Sequence, residues 1–461
     1  MKNLSRRGFL AGMAALSAPP VFAQPAGELS VSGDVDVVIV GAGAAGIAAA
    51  RRVASTGRSY VVFEASNRIG GRVLTGYGRF GIAHDRGAQR ISASGRNPLV
   101  AIGRLVGVDF YEPAPFRRLY VGQREARDHE YDSFTAALHR ASRAIAAAGE
   151  AGLDLAAART LPELGDWQAT VAFVLGPLTT SKDLEEVSTV DFARTEEQRD
   201  EFACRGGLQQ VLGAAARPLT VELEAPVTRI DTRGRGSITV ETPRGSVRAR
   251  TVIVTASTNV LNEGLIRFEP ALPKRTADAL AGLTLGTHDR LVFELPGNPF
   301  NFDDDQRIVF KVANARAVSL VGRVGGTDLA YAEFTGRFGR EMADAGEAAM
   351  LAFVSDLLAA HFGADAREEI GRAEAVRWSR DPWILGATSA AAPGSSANRR
   401  LLAEPAHDRI FFAGEALHES WHGTVAGAWI SGERAADAAI RRLAAATAAQ
   451  RSAPASRKRA R

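Results

Sequence analysis

The chain has 461 residues, 46% hydrophobic and 23% charged, with 46 glycines and a single cysteine. That size and apolar content exclude a small binding module and allow a large buried core, while the charge excludes a chain built of membrane spans. One cysteine excludes an intrachain disulfide framework and any cysteine-rich zinc or iron–sulfur site. The formal net charge is +4, yet three cations lie in residues 1–23 and five in residues 451–461, with no acid in either stretch, leaving residues 24–450 at net −4. A basic nucleic-acid-binding face on the body is therefore not expected.

Residues 1–23 pass from a short basic segment through an apolar run, Phe9 to Leu16, to Pro19-Pro20 and Val21-Phe22-Ala23. This order suits a signal peptide cleaved after Ala23, and the run is too short for a bilayer span, so the mature chain is expected to lack a transmembrane anchor. Ser5-Arg6-Arg7-Gly8-Phe9-Leu10 resembles the twin-arginine export motif. That resemblance implies the Tat export machinery as a partner, a periplasmic location and a tightly held cofactor. At the other end, residues 446–461 read as a disordered basic tail.

Asp34 to Val40 is an apolar, β-branched run suited to a buried parallel strand. It runs into Gly41-Ala42-Gly43-Ala44-Ala45-Gly46 and an alanine-rich helix, Ile47 to Ala54. Gly41 permits a tight turn, Gly43 admits a pyrophosphate to the backbone, and Gly46 lets the helix sit against the sheet. A second strand, Ser59 to Phe63, ends at Glu64, whose carboxylate can accept hydrogen bonds from both ribose hydroxyls of an unphosphorylated adenosine. Strand, glycines, helix, strand and acid, in that order, point to dinucleotide binding.

The next residues, Arg68-Ile69-Gly70-Gly71-Arg72-Val73, resemble the flavin-containing amine oxidase family, which includes monoamine, polyamine and L-amino-acid oxidases. The resemblance implies that Gly71 and Arg72 lie against the pyrophosphate of FAD. It also implies that Gly87, Ala88, Gln89 and Arg90 bring backbone beside the isoalloxazine, and that Val227 meets adenine. Ala65 follows Glu64 into the same nucleotide site. Arg409 to Glu415 is a strand ending in Gly414-Glu415, and Trp421 to Gly432 is similar to the family's closing motif. Here the helix start at Thr424-Val425 points N–H groups at the flavin.

The implied fold is α/β: a discontinuous Rossmann-like FAD-binding domain (33–110, 200–285 and 400–445) and an α+β substrate-side domain (111–199 and 286–399) with a mixed or antiparallel sheet and a helical part. Tyr111 to Arg199 is expected to be helical, Val221 to Ile230 and Ser237 to Thr242 to be strands, and Glu341 to Phe362 one long helix. Cys204, read as a buried small hydrophobe, is expected to open the helix of the Gly206-Gly207-Leu208 element.

The chain departs from the family where substrate chemistry is set. Many amine oxidases carry a lysine where Arg290 stands. Three roles stay open for this arginine: orienting water, binding a substrate carboxylate, or serving as a structural salt-bridge partner. The two aromatic walls of monoamine oxidases align with Thr388 and Thr424, so the restraint of stacking and cation–π contact is lost. Trp421 is a candidate wall and His422 a candidate substrate contact, each with an open alternative as core or structural residue. Ala387 stands where monoamine oxidases link their flavin, which implies non-covalent FAD. His418, Glu419 and His422 do not make a convincing metal set.

The implied reaction is oxidation of an amine or amino acid to an imine by hydride transfer to flavin, then hydrolysis, with oxygen or a cytochrome or quinone as acceptor. A desaturase-like oxidoreductase and a non-catalytic FAD-binding protein are the alternatives. Oligomeric state is open.

Overall fold

The computed structural model describes residue 29 and residues 33–92, 95–114, 117–195, 201–234 and 236–452. The twin-arginine segment, the cleavage site after Ala23, residues 196–199 of the expected helical stretch and residues 453–461 lie outside the described residues.

The apolar run Asp34–Val40 forms strand β1, and its burial on both faces makes it a central strand. Helix α1 (Ala44–Ala54) follows, then strand β2 (Tyr60–Phe63), which pairs with β1 in parallel. On its other side β1 runs parallel to Gly245–Val254. That ten-residue strand serves two neighbours on one edge: its first half is antiparallel to Ile238–Thr242, and its last residues are parallel to Ile410–Phe412. The parallel centre is Rossmann-like. Val37 and Ile39 face α1 and the C-terminal helix Val425–Ser452, while Val38 and Val40 face a second apolar layer that includes Ile410 and Leu417.

A second sheet has the order 373–376, 288–294, 329–335, 318–322, 306–310, 117–121, 124–125. It is mixed: 306–310 and 117–121 are parallel, and the remaining pairs are antiparallel. Alternation sorts its side chains. Leu291, Phe293, Leu320 and Phe334 pack beneath helix Glu347–Phe362, while His288, Arg290, Ser319 and Glu333 belong to the opposite face. Helices Asp128–Glu150 and Gln168–Leu175 build a separate apolar cluster around Ile145, Trp167 and Val171. The molecule thus joins a Rossmann-like unit to an α+β unit.

Five local expectations are corrected. The stretch Tyr111 to Arg199, expected to be helical, first forms strands Arg117–Val121 and Arg124–Glu125 of the second sheet, with Leu119 and Tyr120 buried, before its helices begin at Asp128. The single helix over Glu341 to Phe362 is two, Gly336–Ala345 and Glu347–Phe362, broken at Gly346 with φ +94°. The strand over Val221 to Ile230 is two short strands, Val221–Glu222 and Arg229–Asp231, with Glu224 at φ +52° and Pro226 between them. Cys204 ends strand Glu201–Cys204 rather than opening the helix, which begins at Gln209. The C-terminal helix continues to Ser452, because the alanine-rich stretch after Leu443 contains no proline or glycine, so residues 446–452 are helix and not tail.

Helix α1 and the C-terminal helix touch where Gly432 meets the Ala45 carbonyl, and a Cβ at Gly432 would overlap that oxygen. Gly432→Ala is therefore expected to destabilise the protein by roughly 1–3 kcal/mol despite its higher helix propensity. Thermal melting checks this; an unchanged or raised Tm would show that the crossing relaxes freely.

Candidate functional site

A cavity of about 910 Å³ is lined by residues of both sheets. This lies near the top of the roughly 300–1,000 Å³ range of ligand sites, enough for a dinucleotide. At one end it is walled by Gly41, Gly43 and Ala45 at the turn between β1 and α1, and by Glu64 and Ala65 at the end of β2. Gly41 takes φ +99°, closed to most side chains. The Gly70-Gly71 loop is docked onto this turn: Gly70 N donates to Ala42 O at 2.8 Å, and a Cβ on Gly71 would lie 3.3 Å from Gly43 Cα. Two backbones this close, with bare glycines facing the cavity, form a cradle for a group that needs N–H donors. The buried Glu64 carboxylate accepts from Ala42 N at 2.7 Å and from Ser66 N and Oγ at 2.9 and 2.8 Å. Val227, near the same end, also lines the cavity.

Glu415 joins the remaining segments. It is 5% exposed and meets Arg72 Nη1 at 3.0 Å; Ser389 Oγ donates to it at 2.7 Å and Gly423 N at 2.8 Å. Burial alone would raise its pKa. The Arg72 charge, the Ser389 hydroxyl and the Arg399 charge outweigh burial and hold it below the usual carboxylate value. Arg72 Nη1 also donates to Ala387 O. The arginine expected on a phosphate is thus already engaged with a carboxylate and a carbonyl, although it still lines the cavity. Gly414, Thr424 and Val425 complete this side. Thr424 caps the C-terminal helix: its Oγ1 accepts from Gly427 N at 2.9 Å and donates to Trp421 O.

Between the two sides run Gly87, Ala88, Gln89 and Arg90, all on the cavity wall. A Cβ on Gly87 would overlap the Arg72 carbonyl, so backbone approaches backbone here too. Arg290, 7% exposed, donates through Nη1 to Gly87 O at 2.7 Å and lies over the Tyr331 ring. Its Nη2 stands 3.7 Å from Glu333, and its buried Nε has no partner. Thr388 lines the cavity and shares a 2.7 Å hydrogen bond with Ser181 Oγ.

Four expected site residues stand behind the wall rather than on it. Ala42 is wholly buried, with its N–H on Glu64, and Gly46 packs against the Gly41 carbonyl, where any Cβ would overlap. Trp421 is 4% exposed and stacks on His418, so it fills core and does not wall the cavity. His422 is bound into a buried ionic network: its Nε2 is 3.1 Å from Thr195 Oγ1 and 3.6 Å from Asp191, which Arg399 holds through two 2.7 Å bonds. Burial pulls Asp191 upward, but the hydrogen bonds and charge of Arg399 and the bond from Ala391 N drive it down to about 2. His422 is lowered to about 4 by burial and Arg399. Cys204 is buried off the cavity, and burial pushes its thiol up to about 12.

Sequence reasoning missed a charged face on the second sheet. Glu333, at 0% exposure, accepts from Arg307 and from Ser319 Oγ (2.7 Å) and lies 3.2 Å from His288 Nε2. Burial opposes its ionisation, but Arg307 and His288 keep its pKa well below the ordinary value. Glu333, His288, Arg307 and Arg117 all line the cavity. Strand alternation could have grouped the side chains within each strand, but the order of strands that brings them together has no local signal. Among the described residues no group of three or more His, Cys, Asp or Glu side chains could hold a metal, and no helix is long and apolar enough to cross a membrane.

Comparison with known proteins bears on this geometry. The model for flavin containing amine oxidoreductases matches residues 185–440, and that for NAD(P)-binding Rossmann-like domains matches residues 39–101. The chain is 23% identical to human lysine-specific histone demethylase 2 over 462 residues, covering 87% of this chain and 53% of that protein. It is 24% identical to polyamine oxidase 4 of Oryza sativa subsp. japonica, covering 91% of each. It thus spans about half the length of the histone demethylase. Cyclohexylamine oxidase from Brevibacterium oxydans shares the fold, with a TM-score of 0.73, 23% identity, and coverage of 89% of this chain and 100% of that one.

The buried network makes an acid-range prediction. The folded-state value of His422 lies below its unfolded value of 6.5, so the stability from its neutral ring is complete above pH 6.5 and lost as pH falls toward 4. His422→Gln, which cannot gain a proton, is expected to lose less stability over that window, by on the order of 3 kcal/mol. Denaturant midpoints at several pH values between these limits check it; parallel curves for both proteins would overturn it.

Proposed function

The chain belongs to the flavin containing amine oxidoreductase family, and from that premise we propose that it oxidises an amine or amino acid C–N bond with non-covalent FAD. The observation supporting this most directly is the meeting, on one cavity, of the glycine turn after β1, the Gly70-Gly71-Arg72 loop and the Gly414-Glu415 strand end. The residues fit the cofactor: a glycine cradle for a pyrophosphate, a buried acid at the end of β2, and a third stretch of glycine-tight backbone at Gly87. Residues 33–110, 200–285 and 400–445 are read as the FAD-binding domain, and 111–199 with 286–399 as the substrate side.

In this reading Gly41, Gly43, Ala45 and Gly71 hold the pyrophosphate, with Arg72 held at its flank by Glu415. Glu64 and Ala65 take the adenosine ribose and Val227 the adenine. Ala42 and Gly46 act from behind, by fixing Glu64 and seating α1. Gly87, Ala88, Gln89 and Arg90 lie along the ring system, and Gly414, Thr424 and Val425 close it at the helix start. When bound, FAD supplies the redox chemistry, taking a hydride equivalent from the carbon beside a neutral amine to leave an imine that water hydrolyses. Oxygen, or a cytochrome or quinone, is the proposed acceptor.

The chain's own work is positioning. Arg290, through its bond to Gly87 O, fixes the backbone beside the ring. Thr388 and Thr424 spend their hydroxyls on Ser181 and on the helix cap, so they shape the pocket and transfer no proton. Trp378, Trp383 and Leu178 line the cavity and exclude water, which favours the neutral amine. Twin-arginine export to the periplasm belongs to the same proposal, supported by Arg6-Arg7 and its apolar sequel. Replacing both arginines by lysine should retain the protein in the cytoplasm on cell fractionation.

Purified protein is expected to be yellow, and its flavin to bleach anaerobically with at least one member of a panel of amines and amino acids. No bleaching across broad amine classes would defeat the reading. Glu64→Gln is expected to weaken FAD binding by roughly 1.5–3 kcal/mol, about ten- to hundred-fold. Reconstitution of the apoprotein followed by fluorescence measures it, and unchanged affinity would remove Glu64 from the ribose.

A further inference from the structure

The charged face of the second sheet carries more cation than its own acids neutralise. Arg117, Arg290 and Arg307 of this sheet and the neighbouring Arg90 line the cavity, and of the five acids on the cavity wall only Glu333 and Glu201 pair with any of them. Glu333 is claimed by Arg307, Ser319 and His288, and Glu201 by Arg90 at 3.4 Å. Arg117 lies opposite Arg307 in the parallel pairing of their strands, so the two share one sheet face. No hydrogen bond or ion pair holds Arg117 among the described residues, and its side chain opens onto the cavity. Arg117 keeps an exposed surface where it meets the cavity. Surrounding protein and the nearby Arg307 and Arg90 charges lower its pKa against the pull of Glu333 and Glu201, so an anion here would relieve like-charge crowding as well as form its own contact.

We propose that Arg117, backed by Arg307, is a specificity-determining anchor for a carboxylate, and that the amine oxidised by this protein is one that carries such a group. The identity of the reaction rests on the amine-oxidising reading above; the anion site does not. A guanidinium matches a carboxylate through paired N–H donors, which a solvated lysine would not do as selectively. The same excess charge disfavours a substrate with a second ammonium, because two cations in one partly desolvated cavity repel. Arg307 is less free to move, since its removal would strand the buried Glu333. Arg117 has no such dependent and is the residue to change.

The test uses holoenzyme and pairs of compounds that differ by a carboxylate: phenylalanine against phenethylamine, and 4-aminobutanoate against butylamine. Anaerobic flavin reduction should favour a carboxylate-bearing member by about tenfold or more in wild type, and Arg117→Gln should shrink that ratio by a similar factor, mostly through the apparent Kd. Benzoate, followed by perturbation of flavin absorbance, supplies a readout independent of turnover, and its Kd should rise about tenfold in R117Q. Flavin content and Tm establish that the variant is folded. Equal or better reduction by the plain amines in wild type would overturn the proposal and leave amine oxidation standing. No reduction by any compound, with benzoate binding that depends on Arg117, would defeat the reaction and keep the anion site. Benzoate binding that is absent, or unaltered in R117Q, would overturn the site.

Discussion

The pairing of Glu415 with Arg72 is the constraint around which the candidate site is organised. A buried carboxylate is costly unless charge and hydrogen bonds surround it. Here the partners come from four stretches of chain: Arg72 from the loop after β2, Ser389 from the segment before residue 399, Gly423 from the turn before the last helix, and the charge of Arg399 behind them. Moving any one of these stretches away would take a partner from the buried Glu415. The cost of burying one acid therefore fixes where the glycine loop, the strand end and the substrate-side segment stand relative to one another.

A second buried system repeats this logic one layer further out. Asp191 and Arg399 form a nearly unexposed pair, with His422 beside it and Ser389 shared with Glu415. The two systems are thus one continuous polar path from the cavity wall to helix Thr189–Arg194. Such a path specifies geometry more than it adds net stability, since desolvation offsets much of the Coulombic gain. His422, a candidate substrate contact with a structural role as the open alternative, takes the structural role in this path.

The parts legible in sequence are those with local physical signals. β1, the glycine turn, α1 and β2 announce themselves because a fully buried strand must be apolar and a tight turn must be glycine. The Gly70-Gly71 and Gly414-Glu415 stretches were readable by resemblance and because close backbone approach excludes side chains. Glu333 and Arg117 were not legible: each is one polar residue in a strand, and only the strand order makes them neighbours. Trp421 shows the opposite case. It is a candidate wall by resemblance, with core filling as the open alternative, and the turn through Gly423, at φ +72°, separates it from Thr424: one lies in the core and the other on the cavity. Gly346 likewise divided a helix that composition alone presents as continuous.

The parallel sheet is completed by Ile410–Phe412, which arrives beside Gly245–Val254 long after β1 and β2 in chain order. The same late segment brings Gly414, Glu415 and the start of the final helix to the cavity. Contacts between residues more than 300 positions apart carry a large closure entropy and form slowly. During synthesis, the glycine cradle near residue 41 must therefore wait, with one wall missing, until the ribosome has released nearly the whole polypeptide. Nascent chains of this protein spend most of their translation with an unfinished nucleotide pocket, and capture of the cofactor becomes one of the last events of maturation.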